Sequence, residues 1–281
     1  MKKIIFFFTA VVFISSSAWC QAETYKVYAL TFAGTKTRMP IGMLTEGGPM
    51  NDSVGLEFMV WLIQGKGKNI LLDAGFHRDS ELAKGFNLGW FVRPDSVLYK
   101  LGLKPEDITD IILSHPHFDH VDGIDLFPNA HLWVQKEDYN YFVGTAWQKD
   151  GRQMGFEKRD VRKLVEINMA GRLTLVDGDN KEIMPGIKVY TGSRHTFNSQ
   201  YVLVETGVNK IVLASDNIWI YYSLEHMTPA VSAGTFDQAA YVKAMERMKT
   251  LASDKKFIIP GHDARVFSIF PAVTPGVVQI K

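Results

Sequence analysis

Short apolar runs rich in β-branched and aromatic residues recur along the chain, at 25–32, 56–63, 69–72, 110–113, 131–135, 173–176, 187–190, 201–205, 211–214 and 257–259. Runs of four to eight such residues, bounded by glycine, proline and polar clusters, predict β-strands. Helical signals sit between them. Pro94-Asp95 opens one at 94–101, and shorter ones cover 137–143 and 157–165. The clearest starts at Thr235, where Thr-Phe-Asp-Gln has capping-box spacing and Tyr241, Met245, Met248 and Ala252 then share one face. Strands with helices interspersed predict an α/β fold with mixed sheets.

Two strands end alike: Ile70-Leu71-Leu72-Asp73 and Val212-Leu213-Ala214-Ser215-Asp216 each deliver an acid at the C-terminal end, which suggests two related halves. Between 34 and 55 lies an irregular segment with Gly42, Gly47, Gly48, Pro40, Pro49 and three methionines, Met39, Met43 and Met50. It predicts either a flap that contacts a ligand or a surface flap with no ligand contact. No Pro/Gly/Ser linker or low-complexity tract interrupts the chain, so 23–281 is expected to form one domain.

Residues 1–22 carry the marks of a signal peptide. Lys2 and Lys3 precede an apolar stretch at 4–14, a polar step at 15–17, and Cys20-Gln21-Ala22 with small residues where cleavage would fall. The apolar stretch is too short to span a bilayer comfortably. Periplasmic or secreted protein with no stable membrane anchor is the expectation, with a retained anchor or a lipidated Cys20 as the rival readings. Cys20 is the chain's one cysteine. Its removal leaves no disulfide, no thiol nucleophile and no thiolate metal ligand.

The chain has 46% apolar, 12% aromatic and 22% charged residues, which excludes a disordered or collagen-like protein. Lys+Arg 31 against Asp+Glu 30 gives +1, which argues against a nucleic-acid sleeve or a polybasic membrane binder. A small-molecule substrate is the expected partner, with no nucleic acid.

The chemistry gathers after the strand at 110–113, in Ser114-His115-Pro116-His117-Phe118-Asp119-His120. In extended chain His115 and His117 point the same way and can grip one ion. Asp119 and His120 follow where the chain turns at Val121-Asp122-Gly123, facing a second. His195, Asp216 and His262, in Pro260-Gly261-His262-Asp263, stand at or after later strand ends. His115, His117 and His195 would make one metal site and Asp119, His120 and His262 the other, with Asp216 able to bridge. Imidazole and carboxylate without thiolate suit Zn²⁺ first, with Fe, Mn or Co also compatible. Such ions sit roughly 3.5–4 Å apart and share a hydroxide of pKa about 7. A closed structural metal site is the competing reading of the cluster. His77, His131 and His226 read as structural, and Asp73 as a support or turn residue rather than a catalyst.

His115-x-His117-x-Asp119-His120, with His195, Asp216 and His262 following in that order, resembles the metallo-β-lactamase superfamily of hydrolases. The resemblance implies a four-layered αβ/βα sandwich with two facing mixed β-sheets and a dinuclear site at their edge. Within the superfamily the chain is most similar to the N-acyl homoserine lactonase group. Leu71-Leu72-Asp73-Ala74-Gly75, Pro105-Glu106-Asp107-Ile108, Val134-Gln135-Lys136-Glu137-Asp138-Tyr139 and Gly261-His262-Asp263 carry that similarity. It implies that Asp216 bridges the metals, which the true β-lactamases usually do not provide for. One large class of those also needs a cysteine absent here. Two departures stand out. Val121-Asp122-Gly123 replaces the glycine pair that commonly follows the motif, and Trp219 stands where a tyrosine would polarise the lactone carbonyl. Tyr221 or Tyr222 is the candidate replacement.

The expectation is an exported dinuclear hydrolase in which a metal-bridging hydroxide opens a lactone or related ester. Asp119 would relay a proton to the leaving alkoxide. Phe86, Trp90, Phe91 and Trp147 are candidates either for an acyl pocket or for plain core. A thioesterase, phosphotriesterase-like enzyme or β-lactam hydrolase using the same metal pair is the alternative, and a metal-binding module without turnover is the rival from another class.

Overall fold

Each apolar run named above coincides with a strand, its ends moved by three residues at most. A computed structural model describes residues 24–281; the signal segment expected at 1–22 lies outside the described residues. In chain order the first strands are β1 (Lys26–Thr35), β2 (Met39–Pro40), β3 (Ser53–Val54), β4 (Glu57–Gly65), β5 (Lys68–Leu72), β6 (Leu88–Phe91), β7 (Asp110–Ile112), β8 (His131–Gln135) and β9 (Leu173–Val176). Then follow β10 (Lys181–Met184), β11 (Ile187–Tyr190), β12 (Tyr201–Glu205), β13 (Lys210–Ser215) and β14 (Ile258–Pro260), and finally β15 (Ala272–Thr274) and β16 (Val277–Gln279). The helices are α1 (Phe118–Val121), α2 (Lys136–Val143), α3 (Lys158–Met169), α4 (Tyr221–His226), α5 (Gln238–Leu251) and α6 (Val266–Ile269).

One sheet runs β15-β16-β1-β4-β5-β7-β8-β9, with β6 paired to β1; the other runs β10-β11-β12-β13-β14. Both are mixed. β4 and β5 pair antiparallel and β5 and β7 parallel, while β12 and β13 pair antiparallel and β13 and β14 parallel. The period of two along β4 shows why its run is apolar throughout. Met59, Trp61 and Ile63 enter a core shared with Val189, Val202, Leu213 and the α5 residues Tyr241, Met245 and Met248. Phe58, Val60 and Leu62 enter another, shared with Phe142 of α2 and Leu164 and Ile167 of α3. A strand covered on both faces has no polar side to show. The layers are therefore helices, sheet, sheet and helix, the αβ/βα sandwich that the resemblance implied.

Local details differ from expectation where a second acceptor competes. Asp237, not Thr235, caps α5, its carboxylate accepting from the Ala240 N–H at 2.9 Å. The Thr235 hydroxyl instead donates to the Arg194 carbonyl at 2.8 Å. Pro94–Leu101 is a 3-10 helix. The flap holds the β2-β3 ribbon, its Ile41, Leu44 and Val54 pack with Leu56 and Ile220, and Met43 and Leu44 form part of a cavity wall.

The two strand ends singled out above match in the backbone. Asp73 after β5 has φ 63° and Ser215 at the end of β13 has φ 47°. The loop after Asp73 is tied to the histidine turn, with Ala74 N–H donating to the His120 carbonyl and Gly123 N–H to the Gly75 carbonyl, both at 2.8 Å. That contact requires glycine: a Cβ on Gly123 would run into the Ala74 carbonyl. Gly123→Ala is expected to destabilise the fold by about 1–3 kcal/mol through overpacking, read as a melting temperature several degrees lower; an unchanged melting temperature would contradict the packing described.

Candidate metal centre

The histidine motif leaves the end of β7, which lies between β5 and β8, and turns into α1 at Phe118, with His117 as the residue before the helix. The structure brings all seven candidate residues together in two groups. His195 Nε2 lies 3.2 Å from His115 Nε2 and 3.1 Å from His117 Nδ1. Asp216 Oδ2 is 3.3 Å from His195 Nε2 and 3.9 Å from His115 Nε2. The other oxygen, Asp216 Oδ1, faces the second group, 2.8 Å from His262 Nε2 and 3.3 Å from His120 Nε2. Asp119 Oδ2 completes that group, 3.4 Å from His120 Nε2 and 3.5 Å from His262 Nε2. One ligand atom from each member of a group lies within 4.8 Å of all the others, close enough to hold a metal ion in each.

Hydrogen bonds on the outer nitrogens decide where the protons are. His195 Nδ1 donates to the Gly234 carbonyl at 2.8 Å and His262 Nδ1 to the Glu57 carbonyl at 3.1 Å. A carbonyl only accepts, so each Nδ1 carries the hydrogen and Nε2 turns its lone pair inward. His120 Nδ1 donates to Asp73 Oδ2 at 2.9 Å. The Ser114 hydroxyl donates to that same carboxylate, so it accepts from His115 Nδ1 at 2.8 Å. Asp73 also accepts from Ser114 N–H at 2.8 Å and from the Ser215 hydroxyl at 2.7 Å. It is the support residue the sequence suggested, fully buried behind the site.

The inward lone pairs of His115 and His195, 3.2 Å apart, repel unless a cation lies between them. Burial pushes His117 down to about 3 and His115 well below the usual imidazole value, so both are neutral donors. The second group behaves differently. Burial lowers His120, but the carboxylates of Asp119, Asp216 and Asp73 more than reverse it, and His262 is likewise raised by Asp216 and Asp119 against its burial. That group attracts positive charge. His120 Nε2 and Asp216 Oδ1 are also buried without a hydrogen-bond partner. A divalent cation in each group answers all three observations, and an imidazole and carboxylate set without sulfur fits Zn²⁺.

Both groups open onto a cavity of about 400 Å³. His117, Asp119, His195, Asp216 and His262 reach it, beneath walls of Met43, Leu44, Leu56, Phe58, Leu82, Phe86, Phe118, Met154 and Val231. Of the four aromatic pocket candidates only Phe86 lines it. Trp90 is exposed, Phe91 packs on Phe32 and Phe76, and the Trp147 indole donates to the Phe142 carbonyl. Neither tyrosine offered in place of the missing one is on the cavity. Tyr221 is buried beneath the Arg265 guanidinium and Tyr222 stacks on His226 at 4.0 Å. Trp219 lines the cavity, and its indole N–H donates to Asp216 Oδ2 at 2.9 Å. His77 and His131 stand apart from the site, bonded to Asp125 and Thr174.

The family model for the metallo-beta-lactamase superfamily matches residues 59–262, a span that contains every member of both groups. The chain belongs to the metallo-beta-lactamase superfamily. As a member of that superfamily it is a metal-dependent hydrolase. It is 27% identical over 234 residues to an N-acyl homoserine lactonase of a Bacillus species, covering 77% of this chain and 87% of the relative. It is 26% identical over 226 residues to the N-acyl homoserine lactonase AiiA of Bacillus thuringiensis subsp. kurstaki, covering 74% and 82%. Among solved superfamily structures, an N-acyl homoserine lactone hydrolase with the product N-hexanoyl-L-homoserine at its catalytic metal centre superposes with a TM-score of 0.69. It has 20% identity, with 91% of this chain and 99% of that one covered. The dizinc quorum-quenching lactonase AidC gives 0.62 at 18% identity, covering 91% and 94%.

Because Asp73 orients His120 and holds Ser114 and Ser215 at once, Asp73→Asn is expected to weaken metal retention about 10–100-fold. Metal content after dialysis against a competing chelator measures it, with the melting temperature as a control for the fold; full retention would remove Asp73 from the site's support.

Proposed function

We propose that the protein is an exported dinuclear hydrolase that opens a lactone or a related ester, with N-acyl homoserine lactones the first substrates to try. The observation that carries this reading is Asp216, whose two oxygens face the two histidine groups separately at the floor of an apolar cavity. His115, His117 and His195 would hold one ion and Asp119, His120 and His262 the other, with one carboxylate oxygen of Asp216 offered to each group. The lactonases among the similar proteins support the substrate class.

A pair of divalent ions, zinc first and Fe, Mn or Co otherwise, supplies Lewis acidity toward the carbonyl and water that ionises near neutral pH. The chain's own residues do the rest. Asp119 lines the cavity, and although burial raises its carboxyl, His120 and His262 bring it below the usual carboxylate range. It is therefore ionised at neutral pH, in the form that takes up a proton at Oδ and passes it to the departing alkoxide. Trp219 fixes the orientation of Asp216. Leu82, Phe86 and Met154 exclude water and receive the apolar part of the substrate. Among the described residues no lysine or arginine lines the cavity, which favours an uncharged substrate body over an anionic one.

Protein carrying two ions per chain, assayed against lactone, aryl ester, thioester, phosphotriester and β-lactam, is expected to turn over the lactone fastest and to lose that activity on chelation. Background rates on both lactone and ester at full metal content would sink the proposal. The export reading rests on the basic start, short apolar stretch and small residues before Glu23. N-terminal sequencing of protein recovered outside the cytoplasm is expected to begin at Glu23; a retained Met1 would contradict it.

A further inference from the structure

Once the candidate metal ligands are set aside, no side chain on the cavity among the described residues has a free hydrogen bond to give a substrate. Met43, Leu82, Phe86, Met154 and Val231 are apolar throughout. The exception by composition is Trp219, and its single N–H is already donated to Asp216 Oδ2 at 2.9 Å. Several backbone groups of the wall already carry a bond. The Gly155 carbonyl accepts from Phe118 N–H, that of Gly234 from His195 Nδ1, and those of Leu82 and Val231 from Gly85 and Gly234 N–H. The Leu82 N–H is itself spent on Glu157 Oε1 at 2.9 Å.

We propose that this cavity selects its substrate by apolar contact alone: the substrate is an uncharged lactone or ester with an alkyl or aryl body, and an amide beside the ring is dispensable. The proposal rests on the reading of the site as a lactone- or ester-opening centre and sharpens its substrate class. The physical ground is the asymmetry of burial. Each methylene that leaves water for such a wall strengthens binding about fourfold. An amide or carboxylate that follows it loses hydrogen bonds to water and finds no side chain among the described residues to replace them. Sites that discriminate strongly for a polar group do so through partners left unpaired without it, and this wall has no such side chain to leave.

The test compares matched substrates on the metal-loaded enzyme: a γ-lactone with an n-alkyl chain, an N-acyl homoserine lactone with the same number of chain carbons, and the alkyl lactone ending in a carboxylate. The kcat/KM values of the first two are expected to agree within about threefold, and the carboxylate to cost about a hundredfold or more. Calorimetric binding of a non-hydrolysable pair, a 2-alkyltetrahydrofuran and its acylamino counterpart, is expected to show the same near-equality without turnover. A tenfold or greater preference for the amide-bearing member in both measurements, or acceptance of the carboxylate, overturns the selectivity while leaving lactone opening intact. Absence of hydrolysis for every lactone and ester with both ions bound overturns the underlying reading instead.

Discussion

The inward lone pairs of the buried imidazoles are the constraint from which the rest of the structure follows. His115 and His195 give their outer nitrogens to a serine and a backbone carbonyl, and so cannot relieve the crowding between their inner nitrogens by exchanging a proton. A cluster of this kind in a low-dielectric interior is held against its own repulsion by the surrounding fold. Cations fit because they convert that repulsion into coordination. Metal binding and folding are then linked, since the unfolded chain has no such convergence to offer.

The sandwich supplies the rigidity. β5 and β13 each end in a left-handed residue that turns the chain toward the facing sheet, and their ends touch: the Ser215 hydroxyl donates to Asp73 Oδ2 at 2.7 Å and lies 3.0 Å from the Ser114 hydroxyl. One buried carboxylate thus ties the histidine turn of one sheet to the aspartate-bearing end of the other. Bonds from neutral donors to a buried charge contribute roughly 1.5–3 kcal/mol each. The similarity of the two strand ends, visible as two acids after two apolar runs, is therefore a similarity of job.

The long strands were readable because both of their faces are covered, which leaves continuous apolar runs that few other elements produce. β6, β10 and β15 were not, being strands of three or four residues with exposed side chains, and neither was β16, whose two buried valines make too short an apolar run. The grouping of the seven candidate residues was legible because four of them, His115, His117, Asp119 and His120, crowd one motif, and His195, Asp216 and His262 stand at or after later strand ends. The cavity was not. Met43, Leu82, Phe86, Met154 and Val231 come from separate segments, and each alone is indistinguishable from a core residue. Tyr221 and Tyr222 were placed wrongly for a related reason: their proximity in sequence to Asp216 says nothing of which way the short helix α4 points them.

Trp219 shows how one substitution of residue type redistributes a site's chemistry. A phenol at this place could donate to a substrate oxygen and still accept a hydrogen bond; an indole has a single donor and no acceptor. Here that donor is committed to Asp216 Oδ2, the oxygen turned toward His115 and His195. The chain gains a fixed carboxylate between the two groups and forgoes a side-chain electrophile over the carbonyl. On the proposed reading, polarisation of the substrate would fall to the bound cations and orientation of its body to the apolar walls. A centre arranged in this way depends on full metal occupancy more heavily than one with a hydroxyl in reserve. The density of support beneath it, with Asp73 holding Ser114, His120 and Ser215 together, is what that dependence requires.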